Sequence, residues 1–263
     1  MKVTFADLGA QIASSRLRAR IPQEELGKLG IPPGNDVLIY GKHVVSEQQT
    51  TFFKKLVFDI CDDHFSNPDL RAYYIRHSQM ANVITCNSEV MKQRIKEETG
   101  RDAIIVKEPY ECSETEPDIG PLLLWFGHKS NLKDLERIAP RLKHDLMVLT
   151  NHDDYPEWTP ENFKEAISTP CMVIIPTGKS QAKSENRMVE SIRSGRYVCA
   201  EYLPAYEPFS CFFPLGDIPE SIERALSNPQ DSIERIRAAQ DYIRDRYSPQ
   251  TIARQWLEVL KWL

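Results

Sequence analysis

Short runs of apolar residues alternate along the chain with longer segments of helical periodicity. The apolar runs are too short for buried helices and are rich in β-branched and aromatic residues, so they predict strands of a buried parallel sheet. In the first half these predicted strands are residues 3–5, 36–40, 55–61, 82–86 and 103–106. The predicted helices between them are residues 15–29, 47–53, 69–80 and 88–99. Such alternation indicates an α/β fold built from βαβ units.

An acidic segment with two prolines and a glycine, residues 112–121, interrupts this alternation and predicts a connector. We therefore predict a first domain over residues 1–116 and a second over 117–263. The second half repeats the pattern, with predicted strands at 122–126, 145–149, 171–175, 197–200 and 211–213. Its predicted helices are 132–142, 161–167, 184–193 and 218–226, followed by two closing helices at 232–246 and 249–263. The pattern thus predicts two Rossmann-like domains, each with a mainly parallel sheet.

Composition narrows the class of protein. The 263 residues are 41% hydrophobic and 27% charged, which is ordinary for a folded globular protein. A net charge of -5 excludes a chain-wide basic field for nucleic acid. The first apolar run meets Asp7 too early for a signal peptide, and no stretch of about 18 apolar residues follows, so a cytoplasmic location is expected.

The six cysteines are widely spaced and form no C-x-x-C pair, so they suggest neither a disulfide framework nor a zinc site. Four of them, Cys61, Cys86, Cys171 and Cys199, lie in apolar runs and are predicted core residues.

The candidate chemistry lies in the turns that follow predicted strands, where open α/β sheets bind ligands. After residue 175, Ser184 is predicted to cap the next helix, with cations at Lys179, Lys183 and Arg187, which suits a diphosphate; Glu190 could accept ribose hydroxyls. A surface helix with solvated charges is the competing interpretation.

A second such turn follows residue 126. Gly127 permits close backbone approach there, Lys129 supplies a cation, and Ser130 or Asn131 could cap the next helix. His128 is as readily a structural residue of the loop as a catalyst.

In the first domain, Asp62, Asp63 and His64 follow a strand and could supply a base or an oriented imidazole. A metal site and an acidic helix-cap region are alternatives, and Asp59 is set aside because it lies inside the apolar run. The early segment SSRLRARIP brings Arg16, Arg18 and Arg20 near the first turn, either to reach an anion or as a solvated helix face.

With these residues in view, the chain resembles the GT-B glycosyltransferases, in particular the retaining group 1 or family 4-like enzymes. The segments that carry the resemblance are LLLWFGHKSNLKDL and KSENRMVESIRSGRYVCAEYLPAY in the second half. SSRLRARIP, FDICDDHF and VITCNSEVMKQRI are similar to the acceptor-side pattern of the first domain. The match departs at Ala182, where the family has the first of two glutamates separated by seven residues.

The resemblance implies a role for each group of candidates. The candidate catalytic residues are Asp62, Asp63, His64 and Lys129. The candidate donor-binding residues are Gly127, His128, Lys129, Asn131, Lys183, Ser184, Asn186, Arg187 and Glu190. On the acceptor side the candidates are Arg16, Arg18 and His43. Neither a metal nor a cofactor is expected, because the nucleotide diphosphate sugar is itself the donor substrate and helix N-termini and cations stabilise the leaving diphosphate.

The expected function is therefore transfer of a sugar from a nucleotide diphosphate sugar, such as a UDP-sugar, to an acceptor hydroxyl. A carbohydrate or lipid-linked acceptor is the main expectation. Alternatives are transfer to a hydroxymethylated DNA base, for which Arg16, Arg20, Lys42 and His43 could form a local basic groove, a nucleotide-sugar epimerase, and a noncatalytic nucleotide-binding protein.

Overall fold

The computed structural model describes residues 1–6, 9, 12–42, 45–178 and 181–263, which form two compact units. The first unit consists of Met1–Tyr110, Ala182–Ser184 and Arg246–Leu263. The second consists of Glu111–Gln181 and Glu185–Asp245. The first unit thus ends its main segment at Tyr110, whereas the sequence predicted that the first domain ends at residue 116. The last helix, placed in the second domain from sequence, is part of the first unit.

Most of the α-helices are short, and π-helical and 3-10 segments adjoin some of them. They are α1 (Ala13–Ser15), α2 (Ile21–Lys28), α3 (Glu47–Thr50), α4 (Pro68–Met80), α5 (Glu89–Thr99), α6 (Leu132–Ile138), α7 (Pro160–Ser168), α8 (Asn186–Arg193), α9 (Ile218–Ser227), α10 (Pro229–Arg244) and α11 (Pro249–Leu260). A π-helical segment, Arg16–Arg20, joins α1 to α2, and 3-10 turns cover Lys129–Asn131, Ala139–Arg141 and Pro204–Phe209. Proline occupies the first turn of several of these helices, where its missing N–H costs no helical hydrogen bond.

The first unit is built on a five-stranded parallel sheet whose strands are neighbours in chain order. They are β1 (Val3–Phe5), β2 (Val37–Tyr40), β3 (Lys55–Ile60), β4 (Val83–Cys86) and β5 (Ile104–Ile105). Both faces are covered, which explains why the strands read as continuous apolar runs. Along β2, Val37 and Ile39 pack against Trp256 of α11, whereas Leu38 and Tyr40 pack in the cluster with Tyr74 of α4.

The second unit holds a four-stranded parallel sheet in the order β7-β6-β8-β9. Its strands are β6 (Leu122–Phe126), β7 (Leu146–Leu149), β8 (Cys171–Ile175) and β9 (Tyr197–Ala200). Chain order therefore reverses in the middle of this sheet: the chain passes from β6 to its neighbour on one side, β7, and then returns to β8 on the other side. These two parallel sheets with covering helices confirm the predicted α/β class and its two Rossmann-like domains.

Nine of the ten predicted strands are present, within one or two residues at their ends. The predicted strand at 211–213 is wrong. These residues follow the 3-10 turn, and the Phe213 N–H donates to the carbonyl of Phe209 at 3.0 Å. Phe213 is nevertheless fully buried, with its ring edge-on to Tyr197 at 5.0 Å. A short apolar run can thus be buried as a helical turn. Three residues are too few for their periodicity to distinguish such a turn from a strand.

The cysteines of the apolar runs, Cys61, Cys86, Cys171 and Cys199, are buried, as predicted. Among the described residues, no helix is long and apolar enough to cross a bilayer.

Candidate functional sites in the two units

Strand order in the second unit reverses between β6 and β8, and in open α/β sheets a crevice is expected at the carboxyl ends of the strands at such a point. Ligands of open α/β sheets bind at such a switch point, because two loops diverge there and leave main-chain N–H groups accessible. Gly127, His128 and Lys129 follow β6 directly, and Pro176 and Thr177 follow β8. The sequence-predicted loop after residue 126 therefore lies at the topological switch point.

Arg187 brings a cation to this point from helix α8. Its guanidinium NH1 lies 3.4 Å from the carbonyl oxygen of Phe126, the last residue of β6. A β-carbon added at Gly127 would lie 3.5 Å from the same nitrogen, an ordinary van der Waals distance, so the guanidinium lies beside the Gly127 backbone. Arg187 is half-buried, which keeps its charge less screened than that of a surface arginine. The structure thus brings Gly127 and Arg187, two predicted donor-binding residues, together.

The loop after β6 is held by its own hydrogen bonds. The Lys129 N–H donates to Asn151 Oδ1 at 2.8 Å, while the Lys129 side chain is exposed. His128 Nδ1 accepts from the Ser130 N–H and so caps the short 3-10 turn. Asn131 occupies the N-cap position of α6 without a side-chain capping hydrogen bond. His128 therefore caps the 3-10 turn that precedes α6, while Asn131 holds the predicted N-cap position of α6 without the predicted side-chain bond.

The loop after β8 is anchored by Glu201. Its carboxylate accepts the Thr177 N–H at 2.8 Å and pairs with Arg137 at 2.5 Å. Partial burial acts to raise the pKa of Glu201, but Arg137 and the Thr177 N–H outweigh it, so the pKa lies below its ordinary value. Close to this anchor, a β-carbon on Gly178 would lie 2.7 Å from the Asp134 carboxylate oxygens, so any larger residue there requires that side chain to move. Both loops that border the switch point thus have fixed starting points.

Ser184 does not cap helix α8, contrary to the prediction. The helix begins at Asn186, and its N-cap position is held by Glu185, without a side-chain capping hydrogen bond. Ser184 lies one residue before that N-cap position and belongs to the first unit, where its hydroxyl donates to Glu108 Oε2 at 2.6 Å. Glu185 is buried directly before the helix. A phosphate at this helix start would therefore meet a carboxyl group, which moves the best anion position to the switch point beside Arg187.

The other predicted donor residues near Ser184 are less defined by contacts. Lys183 is half-buried and belongs with Ser184 to the first unit, while the half-buried Asn186 is the first residue of α8 in the second unit. Lys179 lies outside the described residues. Donor binding by Lys183 and Asn186 stays a prediction.

Glu190, the predicted ribose ligand, is buried on α8. Its carboxylate accepts the main-chain N–H groups of Glu111 and Cys112, at 2.7 and 3.3 Å. Burial, with a smaller contribution from Glu111, raises the pKa of Glu190 to about 7. In this structure Glu190 therefore fixes the start of the second unit, and its contact with a ribose stays a prediction.

A cleft in the first unit opens at the carboxyl ends of β1, β2 and β3. It has room for a water molecule or a ligand hydroxyl, about 30 Å³. Its lining combines apolar residues with Ser14, Arg18, Lys42 and Asp59. The Ser14 hydroxyl is buried, and no described residue forms a hydrogen bond with it. The cleft therefore offers a polar end for one hydroxyl-sized group.

Arg18 and Asp59 form a buried ion pair in the wall of this cleft. Arg18 Nε and NH2 lie 2.9 and 2.5 Å from the two Asp59 oxygens, and NH1 donates to the carbonyls of Val106 and Lys107. Thr85 also donates to Asp59, at 2.7 Å. Burial opposes the charge on Arg18, but Asp59 more than offsets this and raises the pKa of the guanidinium. Arg18 is therefore occupied by internal bonds, and its predicted role as an acceptor-side ligand is not what its geometry favours.

Asp62, Asp63 and His64 follow β3, as predicted, but they have different partners. Asp62 pairs with Lys42 at 2.6 Å, whereas Asp63 lies 3.7 Å from the Arg94 side chain. The His64 ring is 5.1 Å from that of Tyr74. The described residues contain no cluster of three or more metal-ligating side chains. Asp62 is thus the member of this group that pairs with a residue lining the cleft.

The remaining acceptor-side candidates differ in what the structure says of them. Arg16 is buried, so it is not part of a solvated helix face, and the π-helical segment that carries it also carries Arg18. His43 lies outside the described residues. From sequence, Asp59 was set aside and Lys42 was assigned only to a possible basic groove, because their partners Arg18 and Asp62 are distant in sequence. A single acid inside an apolar run was the available signal for Asp59, since burial of a carboxylate requires a partner.

Comparisons with known proteins show which solved structures share this architecture. No family model and no curated protein sequence matches the chain. Among solved structures it is similar to HepE from Anabaena in complex with UDP-glucose, with a TM-score of 0.71 and 14% identity over all of both chains.

Two further proteins of known structure share the architecture. TarM has a TM-score of 0.63 and 12% identity over 84% of this chain and 54% of TarM. A second TarM structure, of a point mutant from S. aureus in complex with UDP, has a TM-score of 0.56. An α-glucosyltransferase solved with UDP-glucose and abasic DNA has a TM-score of 0.61 and 10% identity over 92% of this chain and 84% of that one. The chain therefore has the GT-B glycosyltransferase fold.

Proposed function

We propose that this protein transfers a sugar from a nucleotide diphosphate sugar, with a UDP-sugar as the first candidate, to an acceptor hydroxyl. The single observation that carries the proposal is the placement of Gly127 and the Arg187 guanidinium at the switch point of the second sheet. The UDP-glucose in the HepE and α-glucosyltransferase structures supports the donor class.

In this proposal the donor diphosphate lies beside Arg187, with the Lys129 ammonium reaching it from the neighbouring loop. When the bond between the sugar and the diphosphate breaks, negative charge grows on the leaving oxygen, and fixed cations lower the energy of that state. The two cations can supply this stabilisation without a metal ion, so we propose metal-independent catalysis. We also propose that the protein acts in the cytoplasm.

We assign the acceptor hydroxyl to the first-unit cleft, near Asp62 and the Ser14 hydroxyl. The cleft admits one hydroxyl-sized group, which every candidate acceptor presents. A carbohydrate or lipid-linked sugar is the proposed acceptor because, unlike DNA, it does not need a groove of cations along a phosphate backbone. Asp63 and His64 remain candidates for contact with the transferred sugar.

A DNA acceptor is the second candidate, because one similar structure contains DNA. The charges of this chain weigh against it. Its net charge is -5, and Arg18 and Lys42, two basic residues near the cleft, are already paired with Asp59 and Asp62. A DNA groove needs cations that can replace counterions along a phosphate backbone.

The test is to incubate the purified protein with a panel of UDP- and other nucleotide sugars, with and without acceptor saccharides, lipid-linked saccharides and hydroxymethylated DNA. Mass spectrometry would follow both nucleotide release and acceptor mass. We expect acceptor-dependent release of nucleotide and an acceptor heavier by one sugar. Conversion of the donor to an isomer without acceptor would indicate an epimerase instead. Nucleotide binding without any turnover would indicate a noncatalytic protein.

A further inference from the structure

The turn after β2 has a backbone that is unfavourable for the residue it carries. Lys42 has a φ of +48°, and it is the one non-glycine residue with positive φ in the described ranges of the chain. A β-carbon is disfavoured in this left-handed region, whereas glycine adopts it freely. Such unfavourable conformations persist where the surrounding structure holds them, often at functional sites.

The preceding residue explains how the turn is held. A β-carbon on Gly41 would lie 2.2 Å from the main-chain oxygen of Asp59, so the chain after β2 passes directly against β3. This close approach fixes the point from which the Lys42 side chain leaves. It also places Lys42 in the lining of the cleft, together with Tyr40 and Asp59.

The Lys42 ammonium reaches Asp62, the residue that follows Cys61 at the end of β3. Nζ lies 2.6 Å from Asp62 Oδ2, with 26% of the lysine side chain and 48% of the aspartate side chain exposed. The carboxylate is thus fixed by an ion pair yet still accessible to a ligand. A lysine used only for stability would not need a left-handed backbone to make a half-exposed ion pair, since such pairs contribute little.

Neighbouring charges and burial act in opposite directions on the pKa values of Lys42 and Asp62. Partial burial of Asp62 acts to raise its carboxyl pKa, but Lys42, with a smaller effect of His64, leaves the pKa below its ordinary value. Around Lys42, burial acts to lower the ammonium pKa, but Asp62, Cys61 and Glu108 leave it raised. Both groups are therefore charged near neutral pH.

We propose that Lys42 is a positioning residue for the acceptor: its ammonium holds the Asp62 carboxylate at the edge of the cleft, oriented to accept a hydrogen bond from the hydroxyl that receives the sugar. This inference rests on the proposed function and adds a residue to it. Lys42 acts through Asp62 and does not itself touch the reacting atoms.

The decisive variant is Lys42→Gly, because it removes the ammonium and relieves the left-handed backbone at the same time. We expect a Tm equal to or above that of the wild type, together with at least a tenfold loss in kcat/KM for the acceptor and an unchanged KM for the donor. Lys42→Arg should recover part of the loss. Lys54→Met is the matched control, since Lys54 forms a 2.6 Å pair with Asp36 on an exposed surface and should leave activity unchanged.

A second readout does not depend on turnover. Carbon-13 NMR titration of the Asp62 carboxyl should show a pKa at least half a unit higher in Lys42→Met than in the wild type. An active wild type, with unchanged Lys42→Gly kinetics and an unchanged Asp62 titration, would overturn the role of Lys42 alone. A wild type inactive on every donor would overturn the proposed function and with it this role.

Discussion

Arg18 and Asp59 show what a single buried ion pair does in the first unit. The pair joins the π-helical segment to β3, and the remaining guanidinium nitrogen binds the chain just after β5. Removing one partner of such a pair leaves an uncompensated buried charge, which costs more than the intact pair contributes. The pair is therefore a point where three segments of the unit depend on one another.

We predict that Asp59→Asn lowers the free energy of unfolding by about 3–5 kcal/mol, because Arg18 loses its counter-charge inside the unit. Urea denaturation followed by circular dichroism measures this loss. Asp36→Asn, at the exposed pair with Lys54, is the control and should cost less than about 1 kcal/mol. Equal effects of the two substitutions would contradict the structural role of the buried pair.

A second residue-scale prediction concerns Glu190. Its pKa is about 7 in the folded protein against 4.5 ordinarily, so the folded state binds the proton more tightly than the unfolded state. Stability should therefore be highest below about pH 4.5 for this group and fall as the pH rises toward 7, by roughly 3 kcal/mol in total. Unfolding free energies of the wild type and Glu190→Gln between pH 5 and 8 measure this. A wild-type profile parallel to that of the variant would rule out the assignment.

At the scale of elements, strands were predictable because a doubly covered parallel sheet requires continuous apolar runs. Helix starts were less predictable. Ser184 has the right residue type to cap α8, but the helix begins two residues later, at Asn186, and the Ser184 hydroxyl donates to Glu108, 76 residues away. The prediction of a strand at 211–213 was wrong for a related reason, since a helical turn can bury the same apolar residues. Local signals are therefore reliable where the competing partner is also local.

Helix α11 illustrates an element that depends on packing. Trp256 is fully buried on it, with its ring 5.2 Å from Phe5 and 5.4 Å from the Arg18 guanidinium carbon. A twelve-residue helix is marginal by itself in water, so this packing supplies most of its stability.

We predict that Trp256→Ala costs about 3–5 kcal/mol of unfolding free energy through lost apolar contact and a cavity. Trp262→Ala is the matched control, because that side chain is 75% exposed, and it should change stability by less than about 0.5 kcal/mol. Thermal and urea unfolding of both variants would check this. A Trp256→Ala protein as stable as the control would show that α11 is not held by this contact.

At the scale of the whole molecule, the sequence predicted two α/β halves and the loop after β6, because both follow from strand-by-strand periodicity. It could not locate the partner of Arg187, since the guanidinium meets Phe126 across 61 residues. For the same reason, the pairing of Lys42 with Asp62 and that of Asp59 with Arg18 were not predicted. The chemistry of the candidate sites therefore depends on pairings that only the assembled sheets bring about.

We predict that Lys129→Ala and Arg187→Ala each reduce turnover at least tenfold with little loss of folding, because each removes a cation from the leaving diphosphate. Initial rates at saturating donor, with circular dichroism as the folding check, measure this. Lys133→Ala, on an exposed position of α6, should retain the wild-type rate. Wild-type rates in both site variants would remove the donor assignment from the switch point.

The most direct test of the central claim is a crystal structure of the protein with bound UDP. The account predicts the diphosphate at the carboxyl ends of β6 and β8, with a phosphate oxygen within hydrogen-bond distance of the Arg187 guanidinium and near the Gly127 backbone. UDP bound elsewhere in the chain, with this crevice empty, would contradict it.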